Sequence, residues 1–327
     1  MPHWPRTLAL SVLIGGLLAS PGFGQDDSLE AAADAAFYDP DLALVSNSYD
    51  AARCETDACC QRSWLDGLEL FIGLEGSKQP QDFGVNAQFG GRAHANYGGV
   101  LWEDRGLGWQ LGTGLNQTDH AVAVTSAIEG SSSRTQSFTT LGVFQRTDNG
   151  WIWAVAYDYL YQEDYDAVTL SQWRGRVGRL VNDCNEVGVF GMLPDQEADA
   201  VWAGTPVHLE PLAQASAYWR HTWQAGGETT FWLGVAESHG QANAALGDRP
   251  DTGGVIVFGS DLHVPLNDRW ALFGEANFVT PADTGTVDAY LGFAYYPGGG
   301  AFGWRKQQFS PALPVANNTS FVTNLTR

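Results

Sequence analysis

The chain has 327 residues, with 17 Lys and Arg against 37 Asp and Glu, giving a net charge of −20. That balance excludes nucleic acid as a default partner, because binding phosphate needs a basic face. Glycine makes up about 12% of the chain where roughly 7% is usual, and it occurs with 13 Trp, 11 Tyr and 16 Phe, which suits an all-β chain with many turns rather than a helical bundle.

Residues 1–24 read as a targeting segment. Arg6 gives the positive start, residues 8–18 form an apolar run, and residues 19–24 offer small residues for cleavage. The run is too short to anchor the chain in a bilayer. Residues 25–63 form an acidic leader, read as solvated and partly disordered, in which Asp27 or Ser28 caps a short helix over residues 30–36. Cys54, Cys59 and Cys60 close this leader, and Cys184 stands alone much later. In an oxidising compartment these four are disulfide candidates, and a local loop from Cys54 to Cys59 or Cys60 leaves the other free to reach Cys184. No paired histidines accompany the C-x4-C-C spacing, so no metal and no other cofactor is expected.

From residue 66 the pattern is strand, turn, strand. Leu68, Leu70, Ile72 and Leu74 alternate with Glu69, Phe71, Gly73 and Glu75. Segment 109–116 alternates in the same way. Segments 137–145 and 151–160 form a hairpin around Asn149-Gly150, a strong turn signal. Further strands are expected at 170–181, 186–193, 212–223, 230–238, 254–264, 270–278 and 287–296, with a less clear one at 83–93, about twelve in all. The links at 148–149, 181–184 and 267–268 are tight, while those around 130–133, 195–211 and 240–252 are long and polar.

Strands near ten residues long, alternating connection lengths and an export signal predict an antiparallel up-and-down β-barrel of the outer-membrane type over residues 64–297. Residues 298–327 are left as a C-terminal tail. Aromatic residues such as Trp151, Trp153, Tyr157 and Tyr159 would mark the membrane interfaces. The polar faces then turn inward, and the lumen-facing candidates are Arg174, Arg176, Arg220 and His263 with Asp261, Glu275, Asn277 and Asp288. Arg179 shares a face with Trp173 and Val177. A lipid-facing arginine costs roughly 2–4 kcal/mol at midplane unless it sits at an interface, so Arg179 counts against the membrane barrel. The alternative is a soluble secreted or periplasmic β-sandwich that binds a partner through its long loops.

Residues 54–64 (CETDACCQRSW), the Gly-rich strands, the exit Tyr295-Tyr296-Pro297-Gly298-Gly299 and the terminal run over 309–318 together resemble a family of uncharacterised exported proteins of planctomycete bacteria. The resemblance implies a cell-envelope protein with an outer-membrane-like barrel. It brings no activity with it.

No G-x-S-x-G, H-E-x-x-H, phosphate-binding loop or EF-hand loop is present, and no catalysis is expected. Asp261 and His263 share a strand face, and with a serine such as Ser216 opposite they would make an envelope lipid hydrolase, the least favoured reading. Arg174 and Arg176 facing Glu275 and Asn277 would set up a transverse field that biases which solutes pass, or would simply pair and hold the barrel shut. Glu163, Asp164 and Asp166, and Asp195, Glu197 and Asp199, are read as solubilising loop charge rather than a Ca²⁺ site. The expected role is structural or passively pore-like, with outer-membrane lipids around the chain and small polar solutes as the partners a lumen would admit.

Overall fold

The computed structural model describes residues 63–79, 87–120, 133–164, 166–202, 205–237, 254–280 and 286–326. The stretch read as a targeting segment, residues 25–62 of the stretch read as an acidic leader, and Cys54, Cys59 and Cys60 among them, lie outside the described residues. Cys184 is exposed in the turn at 183–184 and carries no disulfide among the described residues.

Twelve antiparallel strands close into a barrel. They are β1 (Leu68–Lys78), β2 (Gln88–Trp102), β3 (Leu107–His120), β4 (Ser133–Arg146), β5 (Trp151–Glu163), β6 (Ala167–Asn182), β7 (Asn185–Gln196), β10 (Gln214–Thr222), β11 (Glu228–Ala236), β12 (Val255–Pro265), β13 (Trp270–Thr280) and β14 (Thr286–Tyr295). Each pairs with its sequence neighbour, and β1 pairs with β14 from Leu70↔Tyr295 to Lys78↔Val287, so no edge is left open. The closed, twelve-stranded up-and-down architecture is the one that the period-two alternation predicts.

Two elements differ from the sequence reading. The stretch at 195–211, read as a polar loop, contains a hairpin of β8 (Ala198–Trp202) and β9 (Thr205–Pro211), while β7 pairs directly with β10 across it. The strand read at 83–93 overlaps β2 from Gln88, and β2 runs on to Trp102, while residues 83–86 lie outside the described residues. Gly90-Gly91 and Gly98-Gly99 blur its alternation because glycine marks neither face.

The tight connections, including 103–106, 147–150, 183–184, 223–227 and 266–269, share one rim with the start of β1 and the end of β14. The longer connections share the other rim. Along β5, Ile152, Ala154, Ala156, Asp158, Leu160 and Gln162 are buried inward, and Trp151, Val155 and Tyr159 are exposed outward. Arg179 lies on the outward face of β6 opposite Trp151, the first residue of β5, with its guanidinium 5.4 Å from the indole centroid. It therefore sits at the tight-turn rim, where an aromatic face accepts the charge.

The stretch read as a separate tail is the lumen filling. After β14 the chain turns back at the tight-turn rim through Gly299, Gly300 and Gly303, all with φ between 73° and 85°, where a side chain would strain the backbone. Asp268 in the β12–β13 turn fastens this reversal, its backbone oxygen accepting from Ala301 N–H and its Oδ1 from Gly300 N–H. Nearly every residue from Phe309 to Asn324 is buried. The chain then ends in β15 (Thr323–Thr326), which pairs antiparallel with β9 beyond the opposite rim.

Candidate functional site

The barrel wall holds the C-terminal segment through its inward polar side chains. Gln110 on β3 donates from Nε2 to Leu313 O at 3.0 Å, and its Oε1 accepts from Ala312 and Leu313 N–H, both at 3.1 Å. Asn96 donates to the same carbonyl. Thr140 Oγ1 accepts from Ala316 N–H at 2.9 Å. Arg146 donates to Ser310 O at 2.7 Å, Arg174 to Pro314 O at 2.8 Å and Arg176 to Ala312 O at 3.3 Å. The segment has no ladder partner along most of its length, so the wall supplies hydrogen bonds that its buried backbone requires.

Apolar contacts complete the fit. Ala312 and Leu313 pack on Phe144, Ile152, Ala154 and Ala156. Val315, Ala316 and Phe321 join Phe138, Leu160 and Leu170 toward the long-loop rim. Trp304 packs at a tilt of 42° against Tyr296 near the tight-turn rim, with ring centroids 4.5 Å apart. A tight turn at 317–320 directs Asn318 Nδ2 to Glu75 and Thr319 Oγ1 to Glu275.

The lumen-facing candidates divide by partner. Arg174 pairs with Asp158 (Nε–Oδ2 2.9 Å), and Arg176 and Arg220 converge on Glu186. Asp288 accepts from Ser77 Oγ at 2.6 Å and from Gln79, which also donates to Asn318 O. Asn277 Oδ1 accepts from Trp232 Nε1 at 3.0 Å. Arg305, from the C-terminal segment, donates to Asp261 Oδ1 at 2.7 Å and lies 3.9 Å from Glu228.

The hydrolase arrangement is not assembled. His263 Nε2 is 2.8 Å from Tyr296 Oη, which donates to Glu69, and Asp261 is taken by Arg305. Ser216 Oγ is buried on β10 without a hydrogen-bond partner among the described residues. Arg174 and Arg176 do stand across the lumen from Glu275 and Asn277, five strands away around the closed sheet, but the C-terminal segment runs between the two walls. A cavity of about 110 Å³ remains beside it, lined by Arg146, Arg174 and Arg176 on one side and Glu69, Asp261 and Glu275 on the other. With a water needing about 10–15 Å³ on this measure, it has room for several waters.

The sequence reading did not single out Gln79, Gln136, whose Nε2 donates to Asn318 Oδ1 at 2.9 Å, Thr140 and Arg146. Each is polar on a strand or at its end, which was the available signal, but their shared role is visible only with the C-terminal segment in place.

Outside the lumen, β8 and β9 present a second polar group. His208 Nδ1 lies 2.8 Å from Asp199 Oδ1 and Nε2 lies 3.1 Å from Glu197 Oε2. Hydrogen bonding to Asp199, with the charges of Asp199 and Glu197, holds the imidazole above its ordinary range against the opposing effect of burial.

Fold and filling define the class: a closed twelve-stranded up-and-down barrel stoppered by its own C-terminal segment. The chain belongs to the family of unknown function DUF6666, whose model matches residues 67–323. A comparison with curated proteins finds no match. Among solved structures it is similar to an outer membrane channel from Pseudomonas putida F1, at 10% identity and a TM-score of 0.49, over 70% of this chain and 94% of that one. It is also similar to the NanC porin, at 8% identity and a TM-score of 0.44, over 70% and 98%. A third similarity is to the Salmonella typhi outer membrane phospholipase, at 10% and 0.39, over 69% and 90%. At this level of likeness the three carry no argument about this chain.

Proposed function

We propose that this chain is an outer-membrane β-barrel with a structural or passively pore-like role, and that its C-terminal segment holds the lumen shut. The observation that carries the reading is the outer surface. Leu74, Leu115, Leu141, Val189, Leu233 and Ile256, from six strands around the barrel, are each 53–64% exposed. An apolar surface that encircles a protein is uncommon in water and is what a hydrocarbon layer requires of a barrel. Trp151, Trp219 and Trp270 lie on their strands at or near the tight-turn rim, Trp223 lies in the β10–β11 turn there, and Tyr159 and Tyr161 lie toward the other rim, all of them exposed, the positions of aromatic belts. The resemblance to exported planctomycete proteins agrees with an envelope location.

The test compares the full chain with one ending at residue 308, each reconstituted in a planar bilayer. The full chain is expected to insert and stay closed, and the shortened chain to show stepwise conductance. Recovery of the full chain from the aqueous fraction, with gel mobility unchanged by heating in detergent, would sink the membrane reading. An equally closed shortened barrel would sink the role given to the C-terminal segment.

A further inference from the structure

The sheet of β8, β9 and β15 has one apolar and one polar face. Ala200, Val207 and Leu209 pack inward onto Phe138, Leu160 and Phe321, so the sheet is anchored to the barrel. Its other face carries Asp199 and His208, which are register partners, and Glu210, two residues along β9. Ligand-type atoms of Glu197, His208 and Glu210 lie within 4.8 Å of one another. Among the described residues no lysine or arginine pairs with Glu197 or Asp199, whose ionic partner is His208. Crowded carboxylates repel one another unless a cation compensates them.

A separate observation comes from the C-terminal strand. Asn324 faces Glu210 across the β9–β15 ladder and donates to it from Nδ2 at 2.8 Å. The side chain is buried, and its Oδ1 has no hydrogen-bond partner among the described residues. A buried amide oxygen without a donor is costly, and it is a ready ligand for a cation.

We propose that Glu197, His208 and Glu210, with the Asn324 amide oxygen, bind a divalent transition-metal ion at the long-loop rim, while Asp199 accepts from His208 Nδ1–H and orients the ring. The imidazole sets the class, since nitrogen ligands favour ions such as Zn²⁺ over Ca²⁺ and Mg²⁺. The ion would bridge β9 and β15 and so fasten the end of the chain to the hairpin. The site lies outside the lumen, and its occupancy does not depend on whether the barrel conducts.

The test is calorimetric titration of Zn²⁺, and separately Ca²⁺, into the full chain in detergent micelles, alongside His208→Ala and the near-isosteric Glu210→Gln. Heat-shifted gel mobility serves as the folding control for each variant. The expected result is a Zn²⁺ site that each variant weakens by about tenfold or more, with Ca²⁺ binding weaker than Zn²⁺. Zinc held by cysteines would be common to all three proteins and would cancel in the comparison. Zn²⁺ isotherms unchanged by both substitutions, or Ca²⁺ binding tighter than Zn²⁺ and insensitive to His208→Ala, would overturn the proposal and leave the face as solubilising charge.

Discussion

Gly112 on β3 lies directly under Val315 of the C-terminal segment: a Cβ at Gly112 would stand 2.6 Å from Val315 Cγ2. The neighbouring inward glycine, Gly114, would bring its Cβ to 3.4 Å from Val315 Cγ1. The wall is therefore thinned where the segment passes, and the two surfaces fit as a packed core does.

Gly112→Leu should displace the segment without breaking the barrel. Overpacking costs about 1–3 kcal/mol, and the exposed strand ladder has no need to absorb it when the segment can move. The expected outcome is an intact heat-shifted band together with raised bilayer conductance and faster proteolysis after residue 300. A variant as closed and as protease-resistant as the parent would contradict the close fit.

Gln110→Ala removes three hydrogen bonds to Leu313 and Ala312 at once. Each buried backbone group left without a partner costs about 1–3 kcal/mol, so a loss of roughly 2–4 kcal/mol is expected from denaturant unfolding in micelles, reduced if water enters the adjacent cavity. A loss within experimental scatter would mean that the contact carries no weight.

Leu233→Arg examines the outer surface. Leu233 is 64% exposed at the middle of β11, where arginine facing lipid costs about 2–4 kcal/mol and arginine facing water costs almost nothing. Folding into vesicles should be weakened by that amount, whereas Leu233→Phe should be neutral. Equal stability of the two variants would speak for water outside the barrel.

Arg305→Met breaks the ion pair with Asp261, whose partners are each less than a sixth exposed. An uncompensated buried carboxylate costs about 3–5 kcal/mol, so the single variant should unfold at clearly lower denaturant. The double variant with Asp261→Leu should recover much of the loss. Additive losses in that cycle would show that the two groups act independently.

Much of the barrel was readable from local pattern. Trp151 to Tyr159 alternate because one side of β5 meets an apolar surround and the other meets the interior, and Asn149-Gly150 closes its hairpin with Gly150 at φ 81°. The inward placement of Arg174, Asp261 and Asn277 follows from the same parity. The β8–β9 hairpin escaped because its polar face carries Glu197, Asp199, His208 and Glu210, which as a string look like loop charge. Ser216 and His263 looked combinable because parity says which way a side chain points but not what it meets.

The sequence by itself determined the all-β class, the approximate strand number and which side chains share a face, because a period of two is a property of neighbouring residues. Only the tertiary structure decided what fills the barrel. The segment after β14 has no period of its own: Gln110 meets Leu313 and Asn318 meets Glu75 across separations of 203 and 243 residues. Such contacts exist only once twelve strands have closed around the chain end, and for that reason they leave no repeat in the sequence.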